Sequence, residues 1–245
     1  MSTMLETNQV TKKFAGLVAI NEVSFKVEEG TIVGMIGPNG AGKTTMLNLI
    51  CGTYHPSSGR ILYEGRDITS YSPHRLCGMG IARTFQVPKP FPQHTVLKNV
   101  MVGAIFGRRQ ASESQAEEEA LKQLTILELA EKQDLKASAL NHMELKKMEI
   151  ARALATSPRL LLLDEPAAGL TPTEVNWLIE TIRKTNKSGI TIMMIEHILK
   201  AVMSLSDRIV VLNHGDLLAE GTPQQIAQNE QVVQAYLGEK HVATV

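Results

Sequence analysis

Residues 32–50 read IVGMIGPNGAGKTTMLNLI. An apolar run, IVGMI, gives way to a glycine-rich crook. The chain then resumes with Met46, Leu47, Leu49 and Ile50 at helical spacing. Gly37, Gly40, Gly42, Lys43 and Thr44 satisfy the pattern GxxxxGK[ST], and Pro38, Asn39, Ala41 and Thr45 complete the loop. The residue types have a physical reason. Glycines let backbone N–H groups curl around phosphate oxygens with no Cβ in the way. A helix opening at Gly42 offers its N-terminus to the same anion.

Lys43 then supplies a point charge at the β- and γ-phosphates, and the Thr44 hydroxyl is a magnesium ligand. The loop follows a strand-like run and opens a helix, which is the context this motif requires. A partner acid is expected elsewhere. LLLLDEP, residues 160–166, ends a buried-strand pattern in two carboxylates. Asp164 is expected to reach the magnesium shell through water, and Glu165 to orient the attacking water. Together these segments predict a P-loop nucleotide hydrolase that uses ATP and Mg2+. Guanine nucleotides are the rival. TNKSG at 185–189 has Gly189 where a guanine reader needs an aspartate, so the GTPase reading is rejected.

Working outward, MLETNQVTKKF, EVSFKVEEG and GRILYEG are β-like runs separated by Gly and acidic turn signals. They predict an N-terminal antiparallel β-subdomain. ESQAEEEALKQLTILELAEKQ places Leu121, Leu124, Leu127 and Ala130 near helical spacing, which predicts an inserted helical subdomain over 95–155. Its charged run, Glu117–Glu119, reads as a solvated helix face. LLLLD, ITIMMIE and RIVVLN are apolar at nearly every position, as in strands covered on both faces of a parallel sheet. WLIETIRKTNKSG supplies an intervening helix stopped at Gly189. The expected class is therefore α/β, with a mainly parallel P-loop NTPase core. Residues 1–94 and 156–245 form the catalytic lobe of one domain in this reading. VPKPFPQH, at 87–94, is an exposed loop leading to the helical segment.

The chain has 245 residues, is 43% hydrophobic, and balances 25 Lys and Arg against 25 Asp and Glu. A chain of zero net charge has no global attraction to nucleic acid or anionic lipid. Cys51 and Cys77 are too few and too isolated for a disulfide framework or a zinc site. No secretory signal and no stretch of about 18 apolar residues is visible, so a cytoplasmic protein, at most docked on a membrane, is expected.

With these motifs in place, the chain resembles the ATP-binding cassette ATPases over nearly its whole length. The resemblance implies further roles. Phe14, in TKKFAGLVAI, matches the aromatic that stacks on adenine. Gln86, in IARTFQ, matches the loop glutamine that senses magnesium and water. His197, in MMIEH, matches the switch histidine near the γ-phosphate. AAGLTP, at 167–172, has Thr171 where the family usually has an aspartate.

One segment departs sharply. The family signature LSGGQ aligns on Leu140, Asn141, His142, Met143 and Glu144, and only the leucine survives. In the family this turn touches ATP held by the opposite subunit. His142 and Met143 add side chains there, and Glu144 would bring negative charge toward a triphosphate. The chain is therefore expected to keep its own ATP site but to be a poor signature donor. A second, different cassette beside it is favoured over a homodimer.

GMGIARTFQVPKPFPQHTVLKNVMVGA, EIARALATSPRLLLLDEPAAGLTPTE and GTPQQIAQNEQVVQAYLGE narrow the resemblance to the ATPase subunits of branched-chain amino-acid uptake systems. It implies transmembrane permease subunits, an extracytoplasmic solute-binding protein, and attachment to the inner face of the cell membrane. Urea and short-amide importers carry closely similar subunits. A regulatory cassette with weak turnover is the alternative outside transport. Cassettes of translation or DNA repair fit less well, because there is a single cassette, no sustained heptads and no basic excess.

Overall fold

The computed structural model describes residues 2–235. The end of the segment QVVQAYLGE that contributed to the resemblance lies outside the described residues. Two sheets and a set of helices make up the described chain. The first sheet has four strands in the order β2-β1-β4-β5: β1 (Thr3–Phe14), β2 (Leu17–Glu28), β4 (Ser58–Tyr63) and β5 (Arg66–Asp67). All its pairings are antiparallel, as expected for the N-terminal strands. β1 and β2 turn on Ala15 and Gly16, with Ala15 in the left-handed region (φ 49), which brings Phe14 to the tip of the hairpin.

The second sheet has six strands in the order β10-β9-β3-β8-β7-β6. These are β3 (Ile32–Ile36), β6 (Ile81–Arg83), β7 (Leu160–Asp164), β8 (Thr191–Ile195), β9 (Arg208–Asn213) and β10 (Asp216–Gly221). β9, β3, β8, β7 and β6 run parallel, and β10 closes the edge as an antiparallel hairpin partner. Every residue of β3, β7 and β8 is buried. That is the continuous apolar pattern of a strand covered on both faces.

One face packs against the antiparallel sheet and α1 (Lys43–Ile50), where Met46, Leu47, Leu49 and Ile50 all point inward. The other face meets α5 (His142–Ala155), α6 (Pro172–Lys187) and α7 (Leu199–Leu205). Two further helices, α2 (Pro73–Met79) and α8 (Pro223–Ala227), are short. α3 (Val96–Phe106), α4 (Glu113–Ile126) and α5 pack on one another. α3 and α5 touch backbone to backbone: a Cβ on Gly103 would lie 2.1 Å from the Arg152 carbonyl oxygen.

The topology decides where chemistry can sit. β3 lies beside β8, and β8 beside β7, all parallel. Their carboxyl ends therefore open on one edge, the usual position of a ligand crevice in such sheets.

Candidate active site

The crook at 37–42 leaves the carboxyl end of β3 and opens α1. Gly40 (φ 79) and Gly42 (φ 98) hold left-handed backbone. The space beside Gly40 is open, with no atom within 4 Å of a Cβ built there. Gly37 has a different constraint, since a Cβ would lie 2.1 Å from the Leu212 carbonyl oxygen on β9. Gly42 caps α1 without any side-chain hydrogen bond, so the first amides of the helix are not closed off by a cap. Lys43 is buried, and its Nζ donates to the carbonyls of Gly37 (2.7 Å) and Pro38 (2.8 Å).

A cleft of about 530 Å³ lies over this loop. Phe14, Asn39, Gly40, Ala41, Gly42, Lys43, Thr44, Thr45 and Glu165 line it, with Leu17, Val18, Ala19 and His214. The expected nucleotide residues thus converge, apart from Gly37 and Pro38, which shape the loop from behind. Phe14 meets Tyr54 edge to face, with ring centroids 5.2 Å apart, and Lys12 Nζ sits 5.0 Å from the Phe14 ring centre. Tyr54 and His214 were not anticipated from the sequence.

Asp164 ends β7 and is 3% exposed. Its Oδ2 pairs with the Arg83 guanidinium at 3.3 Å, while its Oδ1 is buried with no hydrogen-bond partner. Burial raises the Asp164 carboxyl above its ordinary range, and Arg83 opposes that rise. Arg83 also donates to the Asn48 side chain on α1 at 2.7 Å, so it ties the acid to the helix of the phosphate loop. Arg83 lies three residues before Gln86 in IARTFQ. Only the pairing of β6 with β7 reveals its partner.

Glu165 occupies left-handed backbone (φ 46). Outside glycine such a conformation persists only where neighbours fix it, and it concentrates at functional sites. Gln86 Nε2 donates to Glu165 Oε2 at 2.7 Å, and His197 Nδ1 lies 3.7 Å from the same oxygen. Gln86, Glu165 and His197 therefore meet in space although they lie far apart in sequence. The loop bearing Gln86 is fastened to α5. Arg152 donates to the Lys89 carbonyl at 2.9 Å, and its guanidinium also lies 3.7 Å from the buried Glu149 carboxylate on the same helix.

The turn at 140–144 is built differently. None of its residues lines the cleft. Asn141 caps α5 by accepting from the Glu144 amide at 2.9 Å, and Glu144 reaches back to the Asn141 amide at 3.0 Å. This is a complete capping box. His142 Nε2 lies 3.3 Å from the Ala168 carbonyl oxygen, over the loop that follows the acids. Glu144 departs from expectation. Its carboxylate is paired with Lys132, which lowers it from its ordinary range, and it completes the cap. The negative charge expected to project toward a triphosphate is neutralised within the chain.

A second, apolar groove of about 430 Å³ lies behind the site. Leu76, Phe85, Phe91 and Phe106 line it, and Arg83 reaches its wall. Phe106, on its lining, is 71% exposed. Among the described residues no helix is long and apolar enough to cross a membrane.

Comparison with known proteins agrees with this geometry. Residues 20–168 match the ABC transporter family, and residues 217–242 match the branched-chain amino acid ATP-binding cassette transporter family. The chain is 42% identical to the high-affinity branched-chain amino acid transport ATP-binding protein BraF of Pseudomonas aeruginosa, over 96% of this chain and 98% of that one. It is 40% identical to the high-affinity branched-chain amino acid transport ATP-binding protein LivG of Escherichia coli, with the same coverage. Among solved structures, an ATP-binding cassette of an ABC transporter in its ADP conformation superposes with a TM-score of 0.89 at 34% identity, covering 97% of this chain and all of the other.

Proposed function

The chain belongs to the ATP-binding cassette transporter family, and from that premise we propose that it is the ATP-hydrolysing subunit of an importer for branched-chain amino acids. One observation carries the catalytic part. The glycine loop, Asp164, Glu165, Gln86 and His197 gather at the carboxyl edge of one parallel sheet. The substrate part is supported by similarity over nearly the whole chain to subunits of that kind.

ATP enters the cleft over the crook. Phe14 takes the adenine face, and the amides of 39–45 with the Lys43 ammonium take the phosphates. Glu165 holds the attacking water and accepts its proton. Gln86 and His197 flank Glu165 and respond to the γ-phosphate. The residues also fit magnesium. Asp164 keeps a buried, unpartnered Oδ1 and lies within reach of the Lys43 charge, and a single carboxylate beside phosphate oxygens is an ordinary magnesium donor set. Asp164, Thr44 and Gln86 would hold the ion, which when bound neutralises phosphate charge.

The apolar groove beside the Gln86 loop is the proposed seat of the permease, placing the protein on the inner face of the membrane. In this reading 95–155 acts as the helical subdomain that relays motion. The loss of the signature serine and both glycines, replaced by Asn141, His142 and Met143, favours a heterodimer. The partner cassette would then supply the intact signature turn, and a solute-binding protein would deliver substrate outside the membrane.

The test is reconstitution in vesicles with permeases, second cassette and binding protein. ATP-dependent uptake of leucine, isoleucine and valine is expected. Uptake of urea in place of these amino acids would assign the chain to the short-amide importers. ATP hydrolysis with no solute movement would favour a regulatory cassette.

A further inference from the structure

β8 ends in an acid that the proposed chemistry does not use. Glu196 follows Ile195, the last residue of the strand, and precedes His197. Its side chain turns inward and is 1% exposed. Oε1 accepts from the Ala167 amide at 2.6 Å. Oε2 accepts from the amides of His197 at 3.1 Å and Ile198 at 3.3 Å. Burial pushes this carboxyl up from its ordinary range, and the three amide donors pull against that rise.

The three amides belong to two different loops. Ala167 lies two residues after Glu165, and His197 and Ile198 begin the segment leading to α7. One carboxylate therefore bridges the loop of the proposed base and the loop of the proposed switch histidine. The bridge has company. The Glu165 amide donates to the Ile195 carbonyl at 3.0 Å, and Lys146 Nζ, from the helix that begins at 142, lies 3.5 Å from the Glu165 carbonyl. Lys146 is 5% exposed, and its charge is felt by Glu196 and Glu165. Glu165 itself sits in left-handed backbone, which needs such external fixing.

We propose that Glu196 is a positioning residue that locks the Glu165 loop and the His197 loop into one unit, setting the separation of the two side chains that act at the water. The inference rests on the reading of Glu165 and His197 given above, and it names a group that reading leaves idle. The chemistry of the side chain makes it specific. A carboxylate offers only acceptors to three donors, whereas a glutamine of the same shape would turn an NH2 group toward at least one backbone N–H. An aspartate keeps the charge but is one carbon too short to span both loops.

The experiment compares Glu196→Gln with Glu165→Gln and His197→Ala in the full chain paired with its second cassette. In E196Q, binding of a fluorescent ATP analogue should stay within about twofold, while kcat falls roughly ten- to a hundredfold, the cost of a displaced catalytic group. The double variant E196Q/H197A should turn over within about twofold of H197A alone, because coupled residues are not additive. Amide exchange at Ala167, His197 and Ile198 should rise about tenfold in E196Q, a readout independent of turnover. Unchanged kcat in E196Q, or losses that multiply in the double variant, overturns the proposal. So does unchanged exchange at those three amides. Full turnover in E165Q and H197A would instead remove the catalytic reading, and the exchange data would still decide whether Glu196 locks the loops.

Discussion

Two helices of this protein begin where a cassette would meet phosphate, and they begin in opposite ways. α1 starts bare, with Gly42 as its cap and no side chain across its first amides. α5 starts closed, with Asn141 and Glu144 bonded to each other's backbone and Lys132 bound to the same glutamate. Both ends carry the partial positive charge of a helix N-terminus. What differs is whether the orphan amides have been satisfied from within. A bare end is a site awaiting an anion. A closed end gains local stability and offers less to a ligand.

The contrast can be broken, beginning with the largest expected effect. Glu165→Gln, beside the bare end, should lower kcat by about 10²–10⁴-fold with ATP affinity kept, since that is the usual contribution of a general base. Steady-state hydrolysis beside nucleotide titration measures both, and equal losses in the two would mean that Glu165 is part of binding. Phe14→Ala should weaken ATP binding by about 1–3 kcal/mol while leaving kcat at saturation nearly constant. Isothermal titration reads the first quantity, and an unaltered affinity would move adenine away from the hairpin tip.

Restoring the family signature at the closed end comes next. The combined variant N141S/H142G/M143G/E144Q should raise hydrolysis by the chain alone about tenfold or more, because one recovered charge-assisted hydrogen bond is worth roughly 1.5–3 kcal/mol. Turnover should also become cooperative in protein concentration. No gain would mean that the native turn already donates well. The smallest effect is a pH response at the same place. Lys132 holds the Glu144 carboxyl below its unfolded value, so its contribution is present above the usual carboxylate range and is lost as pH falls through the lowered value. Acidification should therefore lower the protection of the Asn141 amide relative to its intrinsic exchange rate, by no more than about 0.2–1 kcal/mol for a partly exposed pair, and by less in high salt. The opposite sign would show that another group controls the cap.

Residues that act through contiguous sequence were the legible ones. The phosphate loop carries its strand, its glycines and its helix within nineteen positions (32–50), and Asp164 with Glu165 stands at the end of an obvious buried strand. The antiparallel N-terminal strands, the parallel core and α6 with its Gly189 stop were readable for the same reason. Arg83, Lys146 and Glu196 were not. Each works by reaching a neighbour that only strand order or helix packing supplies. β6 spans three residues, too few to show a period, and β10 is half-buried along most of its length, so neither carries a clear pattern. The orientation of Glu144 was misjudged because a charge in sequence has no direction. Its pairing with Lys132 depends on how the chain folds back between α4 and α5.

The bare-backbone crossing at Gly103 has a mechanical consequence. At that one point no side chain has room between α3 and α5, whereas Val96, Val100, Met148 and Ala151 fill the rest of the core around them. Any residue larger than glycine at 103 would therefore force the two helices apart there.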